Sequence, residues 1–229
     1  MNPFESLLVL VNVPLSWLNV SVAGKQLLYQ LFAPNLEELM KTDTYHYFAL
    51  PDADKQAIDR LSNVYWPGIT DDPERIKQLR EYYEQIIVLV MYDDDGKLVG
   101  SVKMPSTTIF LNQQRYHVTG LSEVMIDPAY RHKGFGISLI MTAYALIQHD
   151  DADFTIFTCT PDLVPFYEQG GWQSSPQTVL IGGSAADPIA SDKIGTVAMM
   201  SFFTPAAMDN QAEIEKSTIQ LNVGEKIMW

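Results

Sequence analysis

The run Arg131-His132-Lys133-Gly134-Phe135-Gly136 places basic side chains and two glycines directly before an apolar stretch, Ile137 to Ile147. It follows an apolar segment, Leu121 to Ile126, and a turn, Asp127-Pro128-Ala129-Tyr130. A strand, a glycine-spaced basic loop and a helix N-terminus together make an anion site. The first N–H groups of a helix have no intrahelical acceptor, and the helix dipole favours negative charge there. Glycines let the main chain approach a ligand with no Cβ in between. The anion this pattern predicts is a pyrophosphate. The loop lacks the Gly-Lys-Ser/Thr ending of a Walker A sequence and the three-glycine order of the dinucleotide fingerprint, so neither of those sites is expected. A plain glycine turn is the alternative, and the strand before the loop and the helix after it weigh against that.

The order R-x-x-G-x-G after Ile126-x-Pro128-x-Tyr130-Arg131 resembles the acetyl-CoA loop of the GNAT superfamily of acyl-CoA-dependent N-acyltransferases. The resemblance covers roughly Tyr45 to Trp229. It implies that main-chain N–H groups of His132, Lys133, Gly134, Phe135, Gly136 and Ile137 hold the pyrophosphate. Arg131 and Lys133 would add charge, and Ser138 a hydroxyl. It also implies a splayed central strand whose main chain near Met125 and Ile126 meets the thioester and the pantetheine arm. Thr160, after the next strand, would touch that arm, and Phe166 would line the channel.

Acyl transfer from a thioester to an amine needs a base for the amine, a donor for the oxyanion and a proton for the leaving thiolate. Glu123 is the candidate base, as the acid within the strand that leads into the loop. A solvent-facing carboxylate, or a partner for a nearby Lys or Arg, is an equally weighted reading. Tyr167 is the candidate acid. It lies in Pro165-Phe-Tyr-Glu-Gln-Gly-Gly-Trp172, similar to the FYxxxGW segment late in GNAT domains, and an ordinary phenol is protonated at neutral pH.

The C-terminal third resembles the aminoglycoside 2′-N-acetyltransferases through Gly171-Trp172, Pro176-x-x-Val179-Leu180, Gly195-Thr-Val197 and a final Trp229. That likeness implies that Trp229 and its carboxylate help bind a cationic sugar. Two positions depart from it: the acid expected two residues before the final Trp is Ile227, and the base expected in the central strand falls at Ser122 unless a bulge shifts the register.

Composition sets the outer bounds. Net charge is −13 with 15 Lys and Arg, which argues against a nucleic-acid surface and is compatible with a cationic substrate, solubility alone being an equally weighted reading. The single cysteine, Cys159, excludes an intramolecular disulfide and a cysteine-based zinc site, and it reads as a buried structural thiol. Four histidines show no metal-ligand spacing, so no metal is expected. Leu7 to Leu18 is too short to span a bilayer and has no basic start, so no membrane association and a cytoplasmic protein are expected.

These residues need a scaffold of α+β class: a mixed, mostly antiparallel sheet flanked by helices, carried by residues 45–229. Residues 1–44 read as an N-terminal extension, with two short strands around Gly24-Lys25 and a helix capped by Asn35; covering the core and mediating a homodimer are both open to it. Strands are predicted at Tyr45–Leu50, Ile86–Met91, Leu98–Lys103, Thr107–Leu111, Tyr116–Ile126, Phe154–Cys159, Gln177–Ile181, Thr196–Phe203 and Thr218–Val223. Helices are predicted at Asp52–Asn63, from Asp72-Pro73, after the loop, and at Leu163–Gln169. A loop is expected from Gly182 to Gly195. The function expected is acetyl transfer from acetyl-CoA to a small cationic amine; a protein or peptide acceptor, and a non-catalytic acyl-CoA-binding module, are the alternatives.

Overall fold

The computed structural model describes residues 41–68, 73–184, 186–221 and 229. The strands expected around Gly24-Lys25, the helix from Asn35 and the Asp72 cap lie outside the described residues. Among the described residues the first strand, β1 (Lys41–His46), pairs antiparallel with β2 (Ile86–Tyr92). It begins earlier than Tyr45 because edge pairing recruits Lys41, Thr42 and Asp43, polar residues that an apolar pattern does not flag. Tyr47–Ala49 forms a single 3-10 turn instead of continuing the strand, and the Tyr47 ring packs 4.7 Å from that of Tyr83.

Helix α1 (Asp52–Tyr65) carries Asp52 and Asp54 in its first turn, where the dipole favours them, and buries Ile58 and Leu61. The next helical stretch is broken at Leu79 into α2 (Pro73–Gln78) and α3 (Arg80–Glu84). Strand β2 is buried along almost its whole length, as a central strand with both faces covered should be. The two strands expected at Leu98–Lys103 and Thr107–Leu111 are one, β3 (Leu98–Leu111). Pro105 is tolerated inside it because it sits at the end of the β2 ladder, opposite Ile86. Asn112 and Gln113, both with positive φ, turn the chain into β4 (Gln114–Thr119), the backbone a two-residue hairpin requires.

After β4 come β5 (Ser122–Ile126), α4 (Phe135–His149), β6 (Phe154–Cys159), α5 (Val164–Gly170) and β7 (Gln173–Ser175). Then follow β8 (Val179–Gly183), β9 (Pro188–Ala190) and β10 (Val197–Phe202). The main sheet runs β1-β2-β3-β4-β6-β10-β7, with β5 paired to β3. Strand β9 lies in the stretch expected as loop, where Ile181 to Gly183 of β8 capture it. Two short helices, α6 (Pro205–Asp209) and α7 (Gln211–Ile214), fill a segment to which no element was assigned. The signal for α6 is present: Thr204 accepts from Ala207 N–H as an N-cap, with Pro205 next. Strand β11 (Thr218–Gln220) completes a small sheet of order β11-β8-β9.

One detail of the main sheet positions the site. Strands β4 and β6 are parallel and pair only at Val118–Phe154 and Thr119–Thr155. Beyond that point β5 follows β3 while β6 follows β10, so the sheet opens. Helix α4 covers this region with Leu139, Ile140, Ala143 and Ile147, all buried. Trp172 locks the far side, its indole N–H donating to Thr155 Oγ1 at 2.8 Å. The architecture is the α+β sheet flanked by helices that the sequence implied. Among the described residues, no helix is long and apolar enough to cross a membrane.

Candidate active site

The loop before α4 is braced from below. Asp127 Oδ1 accepts from Ala129 N–H, and its Oδ2 lies 2.7 Å from Lys97 Nζ. The Lys97 ammonium, with the Ala129 N–H, holds the Asp127 carboxyl below the usual carboxylate range. The Tyr130 hydroxyl donates to Asp93 Oδ2. His132 (φ 61°) and Gly134 (φ 90°) then reverse the chain in the left-handed region. No atom lies within 4 Å of a Cβ built on Gly134, so its requirement is conformational. Gly136 differs: a Cβ there would meet Phe166 Cε2 at 3.3 Å, so α5 approaches α4 closely at this point.

The first backbone bond of α4 is Ser138 N–H to Gly134 C=O at 3.0 Å. The N–H groups of Phe135, Gly136 and Ile137 therefore have no intrahelical acceptor and crown the helix end. Arg131, His132, Lys133 and Gly134 are exposed around them. The Arg131 guanidinium lies over the Tyr65 ring at 4.7 Å, and Lys133 Nζ is 5.3 Å from the Tyr130 ring. A crown of free N–H groups, open space at Gly134 and two cations fit a diphosphate.

The opening beside the loop is lined by main chain. Asp127 N–H bonds to Val99 C=O, which makes Gly100–Ile126 a non-hydrogen-bonded pair of the β3–β5 ladder. The N–H and C=O of Ile126 therefore point away from β3, into the gap. Met125, opposite Ser101, turns its main-chain groups toward β3 and buries its side chain. Of the two residues expected to meet the cofactor here, Ile126 is the one that offers main-chain groups. The Tyr65 hydroxyl donates to Ile126 C=O at 2.6 Å and accepts from Ile126 N–H at 3.0 Å. Across the gap, Thr158 gives its N–H (2.8 Å) and its hydroxyl (2.7 Å) to the main-chain oxygen of Trp229.

Glu123 sits on a bulge. Its φ is 51°, and the β3–β5 register shifts between Ser101 and Lys103. A non-glycine residue held in that region costs about 1–3 kcal/mol, and such residues cluster at functional sites. The Glu123 carboxylate pairs with Lys103 Nζ at 2.8 Å; the Lys103 side chain is 8% exposed and that of Glu123 31%. Lys103 also lies 5.5 Å from the Tyr47 ring. Tyr82 accepts from Trp229 Nε1 at 3.2 Å, and burial pushes its phenol well above the usual value. Glu123, Lys103, Tyr47, Tyr82 and Trp229 form one ion-paired aromatic corner at the bulged end of β5.

Tyr167 is buried on α5, its ring 4.8 Å from that of Phe157 in β6 and 5.0 Å from that of Phe166. Burial raises its phenol pKa, and neighbouring Cys159 adds to the shift. Cys159 is buried, and burial pushes its thiol up to about 11, as a structural thiol should behave. Ser138 is half-buried in the first turns of α4, and Thr160 is exposed beyond the end of β6. Trp229 is 3% exposed. Tyr65, Tyr82 and Thr158 were not singled out in the sequence, because nothing local distinguishes them. Lys103 left one signal, a lysine inside the apolar run Val99 to Met104.

Residues 49–174 match the family described as Acetyltransferase (GNAT) domain, and the chain belongs to that family. It is thus an acetyltransferase with acetyl-CoA as co-substrate, which the free N–H groups at the start of α4 fit. Among solved structures, the GNAT family N-acetyltransferase YhbS of Escherichia coli, in complex with CoA, is similar at 14% identity and a TM-score of 0.54, over 80% of this chain and 90% of that one. Escherichia coli ElaA is similar at 13% identity and a TM-score of 0.50, over 71% and 99%. No curated protein matches the sequence.

Proposed function

We propose that the protein transfers the acetyl group of acetyl-CoA to a primary amine of a small cationic acceptor, aminoglycoside-like or polyamine-like, by direct attack in a ternary complex. Bound acetyl-CoA supplies an activated acyl carbon and a thiolate leaving group. The N–H groups of the loop and of the first turn of α4 bind the diphosphate, with Arg131 and Lys133 adding charge. Ile126 offers one donor and one acceptor to the pantetheine arm. Tyr167 holds the proton for the thiolate. Burial that raises its phenol raises a thiolate beside it as well, so the transfer stays matched. Glu123 receives the amine proton, directly or through a water, and Lys103 fixes the carboxylate in place.

The observation that supports a small acceptor is the Trp229 indole in the ion-paired aromatic corner. It takes up space that an extended peptide would need. Glu123 and Lys103 cancel in charge, so attraction for an ammonium comes from the half-buried rings of Tyr47 and Tyr82. The test is acetyl-CoA consumption against a panel of aminoglycosides, polyamines and lysine peptides. Turnover with small polycations and none with peptides is expected. Peptide turnover alone would overturn the choice of acceptor, and no turnover with any amine despite CoA binding would overturn catalysis.

A further inference from the structure

The Tyr65 hydroxyl satisfies both main-chain groups that Ile126 turns into the gap, donating to its C=O at 2.6 Å and accepting from its N–H at 3.0 Å. A single oxygen, acting once as donor and once as acceptor, takes the place of an amide that would pair with the same two groups. The amides of a pantetheine arm have that chemistry. The same tyrosine carries the Arg131 guanidinium on its ring at 4.7 Å. Arg131 opens the loop whose free N–H groups suit a diphosphate. One residue at the end of α1 thus occupies the arm's hydrogen-bonding position and holds a cation of the diphosphate site.

We propose that Tyr65 is a built-in plug of the cofactor slot. Without cofactor it caps Ile126 and parks Arg131; acyl-CoA must displace the hydroxyl from Ile126, which frees Arg131 to turn to the diphosphate. This rests on the acetyl-CoA reading of the gap. The cost of displacement is charged to cofactor affinity, because a binding-competent state that is only partly populated lowers apparent affinity by its population. A nucleotide that lacks the arm does not meet the plug.

Calorimetry of CoA and of ADP with the wild-type protein and with Tyr65→Phe tests this, since Phe keeps the ring under Arg131 and removes only the hydroxyl. CoA should bind Tyr65→Phe about tenfold more tightly, as expected for releasing two hydrogen bonds of ordinary net strength, and ADP should bind both proteins alike. Amide exchange at Ile126 should be slow in the free wild-type protein, fast in free Tyr65→Phe and slow again once CoA is added. Equal or weaker CoA binding by Tyr65→Phe would overturn the plug while leaving the cofactor reading intact. An equal gain for ADP would also overturn it. Failure of both proteins to bind CoA would bring down the cofactor reading and the plug together.

Discussion

Gly120→Ala is the sharpest probe of how Trp229 sits. The φ of Gly120 is not in the left-handed region, so alanine meets no backbone penalty there. The added Cβ would fall 2.5 Å from Trp229 Cε3, 3.0 Å from its Cδ2 and 2.6 Å from the Ile156 carbonyl oxygen. Carbon atoms pack best at about 3.5–4.0 Å, so something must move by an ångström or so. Ile156 cannot, because β6 is pinned to β10 at Met200. If the indole stays, the overpacking costs about 1–3 kcal/mol. If it leaves, the loss is about 1.5–3 kcal/mol for a large buried side chain, plus about 1 kcal/mol for the bond to Tyr82. The two routes together bracket a loss of about 1–4 kcal/mol, or a Tm lower by about 2–16 °C for a domain of this size. Thermal melts of Gly120→Ala, Trp229→Ala and the double variant supply the assay. The single effects should fail to add by about 1 kcal/mol or more, because they share one contact. Strict additivity, or a Tm of Gly120→Ala equal to wild type, would refute the packing argument. If Trp229 lines the acceptor pocket, Gly120→Ala also raises the amine KM more than the acetyl-CoA KM.

Four further outcomes are expected. Gly134→Ala should cost roughly 1–2 kcal/mol through its left-handed backbone alone, while Gly134→Asn should cost less because Asn tolerates that region; paired melting curves check this. Glu123→Gln takes the carboxylate from a Lys103 ammonium that is 8% exposed and should destabilise by about 1–3 kcal/mol; adding Lys103→Met should recover much of it, so activity of the double variant separates catalysis from stability. Cys159, with its thiol pushed up to about 11, should resist Ellman's reagent at pH 8 until the chain is unfolded in urea. The Lys97–Asp127 brace sets an acid limit: the Asp127 pKa is depressed in the fold, so its contribution is whole above about pH 4 and is lost as pH falls through the folded value. CoA affinity should drop along that limb, and Asp127→Asn should remove the dependence.

The donor half of the site was legible because it is local. A strand, a turn, two glycines and a helix start lie within about sixteen consecutive residues, and each acts through its own backbone. Gly134 needs its left-handed φ, and α4 has its free N–H groups, wherever the rest of the chain goes; Gly136 owes its missing side chain to Phe166 on α5. The helix that carries Tyr167 was legible for a similar reason, lying in a short motif that ends at Gly171, φ 113°.

What the sequence by itself determined is therefore the class of reaction, the mixed α+β architecture and the strand-loop-helix order around Arg131 to Gly136. The tertiary structure decided the rest. Whether Glu123 faces a substrate depends on a bulge created by the mismatch between β3 and β5, and its pairing with Lys103 spans two strands. Tyr65 reaches Ile126 across 61 residues and Trp229 reaches Tyr82 across 147. The N–H and C=O groups face a gap only because β4 and β6 pair over just two residues, after which β5 follows β3 and β6 follows β10. Periodicity reports which face of an element is apolar, but it does not say which distant side chain fills the opening when two strands diverge.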